Sequence, residues 1–162
     1  MDRDGALHVV WQGFRKRQGQ ILLKTFRDSR WSNEVALSEG PGDNWDPAVT
    51  ADPNGGLWAA WDGYATGAFQ IYARRYAGGR PGLLHHVSRN NLFSARPSIA
   101  CGSSGPWIAW EESGPHWGKD WAVDDPAATV LYKDRSIRVA FLDGNQWREP
   151  VAQVRDSISD RM

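Results

Sequence analysis

Three short apolar segments, each closed by a tryptophan, recur at nearly constant spacing along this 162-residue chain. They read Leu7-His8-Val9-Val10-Trp11, Leu57-Trp58-Ala59-Ala60-Trp61 and Trp107-Ile108-Ala109-Trp110, which sets the closing tryptophans 50 and 49 residues apart. Such a period constrains the fold more than any composition figure. It means that one supersecondary unit repeats and that neighbouring units bury each other's faces. Further anchors keep the register. Ile21 and Ile71 each follow their tryptophan by ten residues, and Trp31 and Pro81 follow by 20. Pro47 and Pro97 come 16 residues later still, opening the stretches Ala48-Val49-Thr50-Ala51 and Ser98-Ile99-Ala100-Cys101. In the last repeat the matching anchors are Ile137 and Trp147, both displaced by the same 17 residues, so one insertion between Trp110 and Ile137 accounts for both.

Each repeat holds four strand candidates, a to d, which in the middle repeat cover 47–52, 57–62, 69–77 and 83–88. Apolar, aromatic and β-branched residues fill them, and Gly, Asn, Asp and Pro cluster between them. The a–b links Asp2-Arg3-Asp4-Gly5 and Asp52-Pro53-Asn54-Gly55 carry Asp-Gly and Asn-Gly, which supply the positive φ of tight hairpins. Helical repeats would need a 3.6-residue period over longer segments, and a sandwich would not repeat its anchors. A unit near 50 residues with four short strands is a β-propeller blade. The expected fold class is therefore all-β, a partial β-propeller of about three four-stranded antiparallel blades. Strand a of the first blade falls before residue 1, leaving eleven strands in blades 1–38, 47–88 and 97–154. Three blades are fewer than the four or more that close a ring. The reading is a stretch of a longer ring, whose partners are the remaining blades or domains of a parent chain.

Composition narrows the function classes. Lys plus Arg and Asp plus Glu both number 19, so no charge excess points to a nucleic-acid partner. No apolar run is long enough for membrane insertion as a helix. A single cysteine, Cys101, excludes an internal disulfide and reads as a buried free thiol. No cofactor loop or metal-ligand cluster is legible, and Asp2/Asp4 and Asp52/Asn54 read as turn residues rather than calcium ligands. His85 and His86 fall on an outer strand and are expected to be solvated. The ten tryptophans need no ligand to explain them, because alternation puts Leu57, Ala59 and Trp61 on one face for packing between blades.

The sequence Asp52-Pro53-Asn54-Gly55-Gly56-Leu57-Trp58-Ala59-Ala60-Trp61, then Gln70-Ile71-Tyr72-Ala73-Arg74, resembles bacterial sialidase-like and TolB-like propeller repeats over nearly the whole chain. The Asp-box of sialidases, Ser-x-Asp-x-Gly-x-Thr-Trp, is matched only loosely, with extra spacing. The third repeat, with Trp117-Gly118-Lys119-Asp120 and Arg135-Ser136-Ile137-Arg138-Val139, looks like propeller regions of large bacterial proteins that also carry a metal-dependent hydrolase domain.

The d–a and b–c loops of propeller blades share one face, and the unusual residues fall there. The insertion lies in a b–c loop, within 111–136, and long loops that break a tight repeat are disproportionately functional. Trp117 and Trp121 would form a stacking platform for a sugar or an apolar partner, with Lys119 and Asp120 as polar rim, and Glu111 in the same loop is a further ligand candidate. The alternative is a structural cover with the tryptophans buried. The d–a loops bring Asp46 and Arg96 to the same end, where they would contact a ligand or pair between blades. Adjacent Glu111 and Glu112 point to opposite sides of a strand, so a carboxylate pair for glycoside hydrolysis would join Glu111 to Asp46 or Asp120. No catalytic residue is assigned. The expected function is a non-catalytic scaffold and binding surface for a carbohydrate or protein ligand. The alternative is part of a hydrolase, either a sialidase-like glycosidase or the propeller appendage of a metal-dependent enzyme.

Overall fold

A computed structural model describes residues 1–65, 67–114, 135–151 and 154. Among these residues there is no helix, and every regular element is a β-strand. The first sheet contains β1 (Leu7–Arg15) and β2 (Gln18–Arg27), with an outer strand in two pieces, β3 (Arg30–Trp31) and β4 (Val35–Ala36). The second is β5 (Asp43–Ala51), β6 (Leu57–Tyr64), β7 (Phe69–Ala77) and β8 (Arg80–His86). The third is β9 (Phe93–Gly102), β10 (Gly105–Ser113), β11 (Ser136–Asp143) and β12 (Gln146–Arg148). All pairings are antiparallel and join sequence neighbours, save that β4 as well as β3 pairs with β2, and the inner strands β5 and β9 lie side by side. This is the expected bcd-abcd-abcd order, with β1 the inner edge of the first sheet.

The strand register bears out the repeat residue by residue. Trp11 pairs with Leu22, Trp61 with Tyr72 and Trp110 with Arg138, so the third offset exceeds the others by the inserted 17 residues. Packing explains why the anchors recur. Leu57, Ala59 and Trp61 face the first blade and form a core with Ile21, Leu23 and Leu37. The opposite face of the second blade packs Ala60, Ile71 and Ala73 against Ile108, Trp110 and Ala140 of the third. Burying each large side chain contributes roughly 1.5–3 kcal/mol, so these two interfaces hold the sheets in stack. In the first blade the positions equivalent to Leu57 and Ala59 are Leu7 and Val9, which are 40% and 39% exposed.

One buried serine outside the apolar pattern closes each of the first two blades. Ile21 donates its N–H to Ser38 Oγ at 2.9 Å, and Ile71 donates to Ser88 Oγ at 2.8 Å. The a–b turns are held by their aspartates, as expected. Asp2 Oδ1 accepts from the N–H of Asp4 and of Ala6, and Asp52 Oδ1 accepts from the N–H of Asn54 at 2.8 Å.

Three expectations need correction. Strands β5 and β9 begin at Asp43 and Phe93, so Pro47 and Pro97 lie inside them rather than at their starts. His85 is buried at 9% exposure against Trp58 and Trp147, and His86 stacks on Tyr72 at 4.8 Å, so neither is a solvated surface histidine. The outer strand of a blade is covered here because a wide aromatic layer reaches that far out between the sheets. Cys101 is free but only half-buried, at the end of β9.

Candidate functional site

The prolines inside β5 and β9 mark a local device. Trp45 pairs with Asp62 and Ala48 with Ala60, which leaves Asp46 and Pro47 opposite the single residue Trp61. One blade on, Ala95 pairs with Glu111 and Ser98 with Ala109, leaving Arg96 and Pro97 opposite Trp110. Each is a β-bulge. A proline has no N–H for the ladder, so the bulge is where a strand can hold one. Asp46 and Arg96 take φ values of 45° and 53°, in the left-handed region that costs a non-glycine residue roughly 1 kcal/mol. Both residues are exposed at the end of the sheets that carries the d–a and b–c loops.

Asp62 and Glu111 each follow the marker tryptophan of strand b and reach the same end. Glu111 is clamped by two guanidinium groups, Arg96 at 3.0 Å and Arg135 closer still. Arg135 is half-buried just before β11, where the insertion rejoins the repeat. Asp62 is 2% exposed, and its Oδ1 has no hydrogen-bond partner among the described residues. Burial and the nearby charge of Asp46 push its carboxyl up to about 7, although the N–H groups of Arg96 and of Asp62 itself, with the Arg96 charge, pull the other way. Arg96 thus joins two blades, its side chain on Glu111 of its own sheet and its N–H on Asp62 of the preceding one.

The structure therefore brings Asp46, Arg96 and Glu111 to one end, as the sequence reading expected. The pairing that forms is Arg96 with Glu111. Glu112 points away from Glu111, as alternation requires, and is buried against Asn90, Ser94 and Arg138. Trp117, Lys119, Asp120 and Trp121 lie outside the described residues. Sequence reasoning missed Asp62. The signal was available, because the residue after the marker tryptophan is Gln12, Asp62 or Glu111 in successive repeats. Among the described residues, no group of three or more His, Cys, Asp or Glu side chains could hold a metal ion.

Stacked four-stranded antiparallel sheets, with inner strands adjacent and charged side chains gathered at their loop end, define a partial β-propeller. No known family matches the sequence, and no curated protein matches it. Among solved structures, the chain is similar to a thermostable family-43 glycoside hydrolase, with a TM-score of 0.55 at 12% identity. That match covers 99% of this chain and 59% of the hydrolase, so the chain spans well under two thirds of the hydrolase's length. A fucose lectin from Kordia zhangzhouensis in complex with methyl-fucoside gives a TM-score of 0.48 at 11% identity, over 94% of this chain and 96% of the lectin. The likeness to the hydrolase is one of fold. It supports a propeller and does not single out sialidase-like or TolB-like repeats.

Proposed function

We propose that the chain is a scaffold and binding segment of a β-propeller, with carbohydrate as its ligand class. The binding face is the end where Asp46, Asp62, Arg96, Glu111 and Arg135 converge. The observation that carries this reading is Asp62, a buried carboxyl with an unpartnered oxygen at that end. A buried polar atom left without a partner favours a ligand that supplies one. A hydroxyl-rich ligand can donate to the exposed Asp46 and accept from Arg96 and Arg135, with Asp62 reached from behind Arg96 by a small donor carried in with it. Trp117 and Trp121, in the insertion that springs from the same end, would stack on a sugar face, with Lys119 and Asp120 at the rim. In this reading the chain's structural partners are further blades or domains, which would cover Leu7 and Val9.

A glycan array probed with the chain, alongside Asp62→Asn and Trp117→Ala/Trp121→Ala variants, tests this. Binding that falls in the variants is the expected result. Binding unchanged in all of them removes the axial end as the site.

One observation favours a second, hydrolytic reading. A carboxyl held up to about 7 beside another carboxylate is the pattern of a general acid, kept protonated near neutrality by burial and like charge. The family-43 likeness concerns the fold, so this reading rests on Asp62 alone. Release of nitrophenol from aryl glycosides, lost in Asp62→Asn and falling with pH above about 7, would establish it. Absence of turnover across a panel of aryl glycosides leaves the binding reading.

A further inference from the structure

The repeat makes the cleft between the first two blades equivalent to that between the second and third, yet they are built differently. In the later cleft Glu112 accepts from Asn90 Nδ2 at 2.8 Å and lies 3.6 Å from Arg138 Nε, and Arg138 also pairs with Glu149. By register and spacing, the counterparts of Asn90, Glu112 and Arg138 are Gly40, Gly63 and Tyr72. Two glycines therefore stand where the other cleft is filled by a polar network. Asn44 fills the space over Gly63, and beside it lies a cavity of about 170 Å³ between the link that joins the first two blades and the inner face of the second, lined by neither glycine.

Its lining has a definite chemistry. Tyr64, Leu84 and Pro41 give an apolar wall, and Glu39, Asp43 and Tyr72 supply polar atoms. Asp43 commits one oxygen to the N–H of Gly19 at 2.7 Å, and Glu39 commits one to Arg74 at 3.1 Å, so each keeps a second oxygen as acceptor. Among the described residues nothing bonds the Tyr72 hydroxyl. Tyr72 stacks on Trp61 (20° between planes) and on His86 (12°), its neighbours on the two flanking strands. Its faces are covered, so it offers the cavity an edge and a hydroxyl rather than a π-surface. That weighs against an ammonium ligand, which needs open aromatic faces. It suits a ring with several O–H donors and one C–H face. The volume is below the ~300 Å³ at which pockets for drug-sized ligands begin, so it fits one ring and not a chain.

We propose that this cavity is a second ligand site at the same loop end, with a lining distinct from Asp46, Asp62, Arg96, Glu111 and Arg135, and that it takes a single neutral pyranose. The ligand class rests on the carbohydrate reading above, but the site and its residues are different.

The test titrates the full chain with the methyl pyranosides of glucose, galactose, mannose and fucose, with tetramethylammonium as the cationic control, followed by amide and indole NMR shifts. Saturable shifts at Asp43, Tyr64, Ala65 and the Trp61 indole are expected with at least one sugar. Tyr72→Phe should weaken that binding by ~3- to 10-fold, the effect of one hydrogen bond. The triple variant Asn44→Ser/Gly63→Glu/Tyr72→Arg carries the residues of the next blade's filled cleft and should abolish binding. Asp46→Asn and Asp62→Asn should leave cleft shifts unchanged. Absence of cleft shifts with every sugar, or shifts from tetramethylammonium in preference to sugars, overturns the proposal. Sugar shifts confined to the axial end overturn it while upholding the axial reading. Cleft shifts without axial ones support it and count against the axial site.

Discussion

Asn44 and Gly63 are direct cross-strand partners, and one blade on the same two positions are Ser94 and Glu112. The bulk has moved from one strand to the other. In the second blade, Asn44 accepts from the Trp61 indole at 2.9 Å and donates to the Gly19 carbonyl at 3.1 Å, in space that Gly63 leaves open. In the third blade, the long side chain is Glu112, Ser94 is too short to reach, and the Trp110 indole N–H is buried with no partner among the described residues. The swap decides which strand fills the cross-strand space, Asn44 of β5 in the second blade and Glu112 of β10 in the third.

A Cβ at position 63 would meet Asn44 Oδ1 at 2.7 Å and the Tyr72 ring at 3.1 Å. Gly63→Ala should therefore destabilise the chain by about 1–3 kcal/mol, through overpacking and loss of the Trp61 hydrogen bond. Urea denaturation measures this. Adding Asn44→Ser, the residue found in the next blade, should recover part of the loss, and an unchanged midpoint in Gly63→Ala would contradict the packing account.

Asp62 makes stability depend on pH with a definite sign. Its carboxyl is raised from 3.8 to about 7 by folding. Its favourable contribution is fully present below about 4, where both states hold the proton, and is lost as pH rises through about 7. The slope approaches ~1.4 kcal/mol per pH unit between those limits. Denaturation midpoints taken from pH 4 to 8 should fall for the wild type and flatten in Asp62→Asn.

The neighbours of Asp62 should move its titration in opposite directions. Asp46→Asn removes a repelling charge and should lower it, whereas Arg96→Asn removes an attracting one and should raise it. Asn tolerates positive φ, so both bulges survive the change. Carboxyl ¹³C titrations report each shift, and shifts of the same sign in both variants would refute the assignment.

Ser88→Ala leaves the buried Ile71 N–H without its acceptor. The expected cost is about 1–3 kcal/mol, seen as a lower melting temperature and faster amide exchange at Ile71. Ser38→Ala should do the same at Ile21.

How much of this was legible depended on whether a residue's role was repeated. Trp11, Trp61 and Trp110 with Ile21, Ile71 and Ile137 fixed blade number and register, because interblade packing demands the same shape each time. Ser38 and Ser88 also recur at one spacing, but small polar residues blend into turn composition. Asp62 was missed because it differs in kind from Gln12 and Glu111, so comparison for sameness passed over it. Asp46 and Arg96 were placed at the right end, yet their strain was not visible, since a residue before proline usually reads as extended. The burial of His85 depends on Trp58 and Trp147, partners far apart in sequence that no local pattern connects.

The bulges at Asp46-Pro47 and Arg96-Pro97 share one backbone shape but carry opposite charges. The kink is fixed by what the chain does around the tryptophan opposite, and the projecting side chain is left out of that agreement. A single codon per repeat can thus rewrite the electrostatic lettering of the rim while the sheets behind it stay as they are. A duplicated unit with that freedom can diverge in what it recognises before it diverges in how it folds.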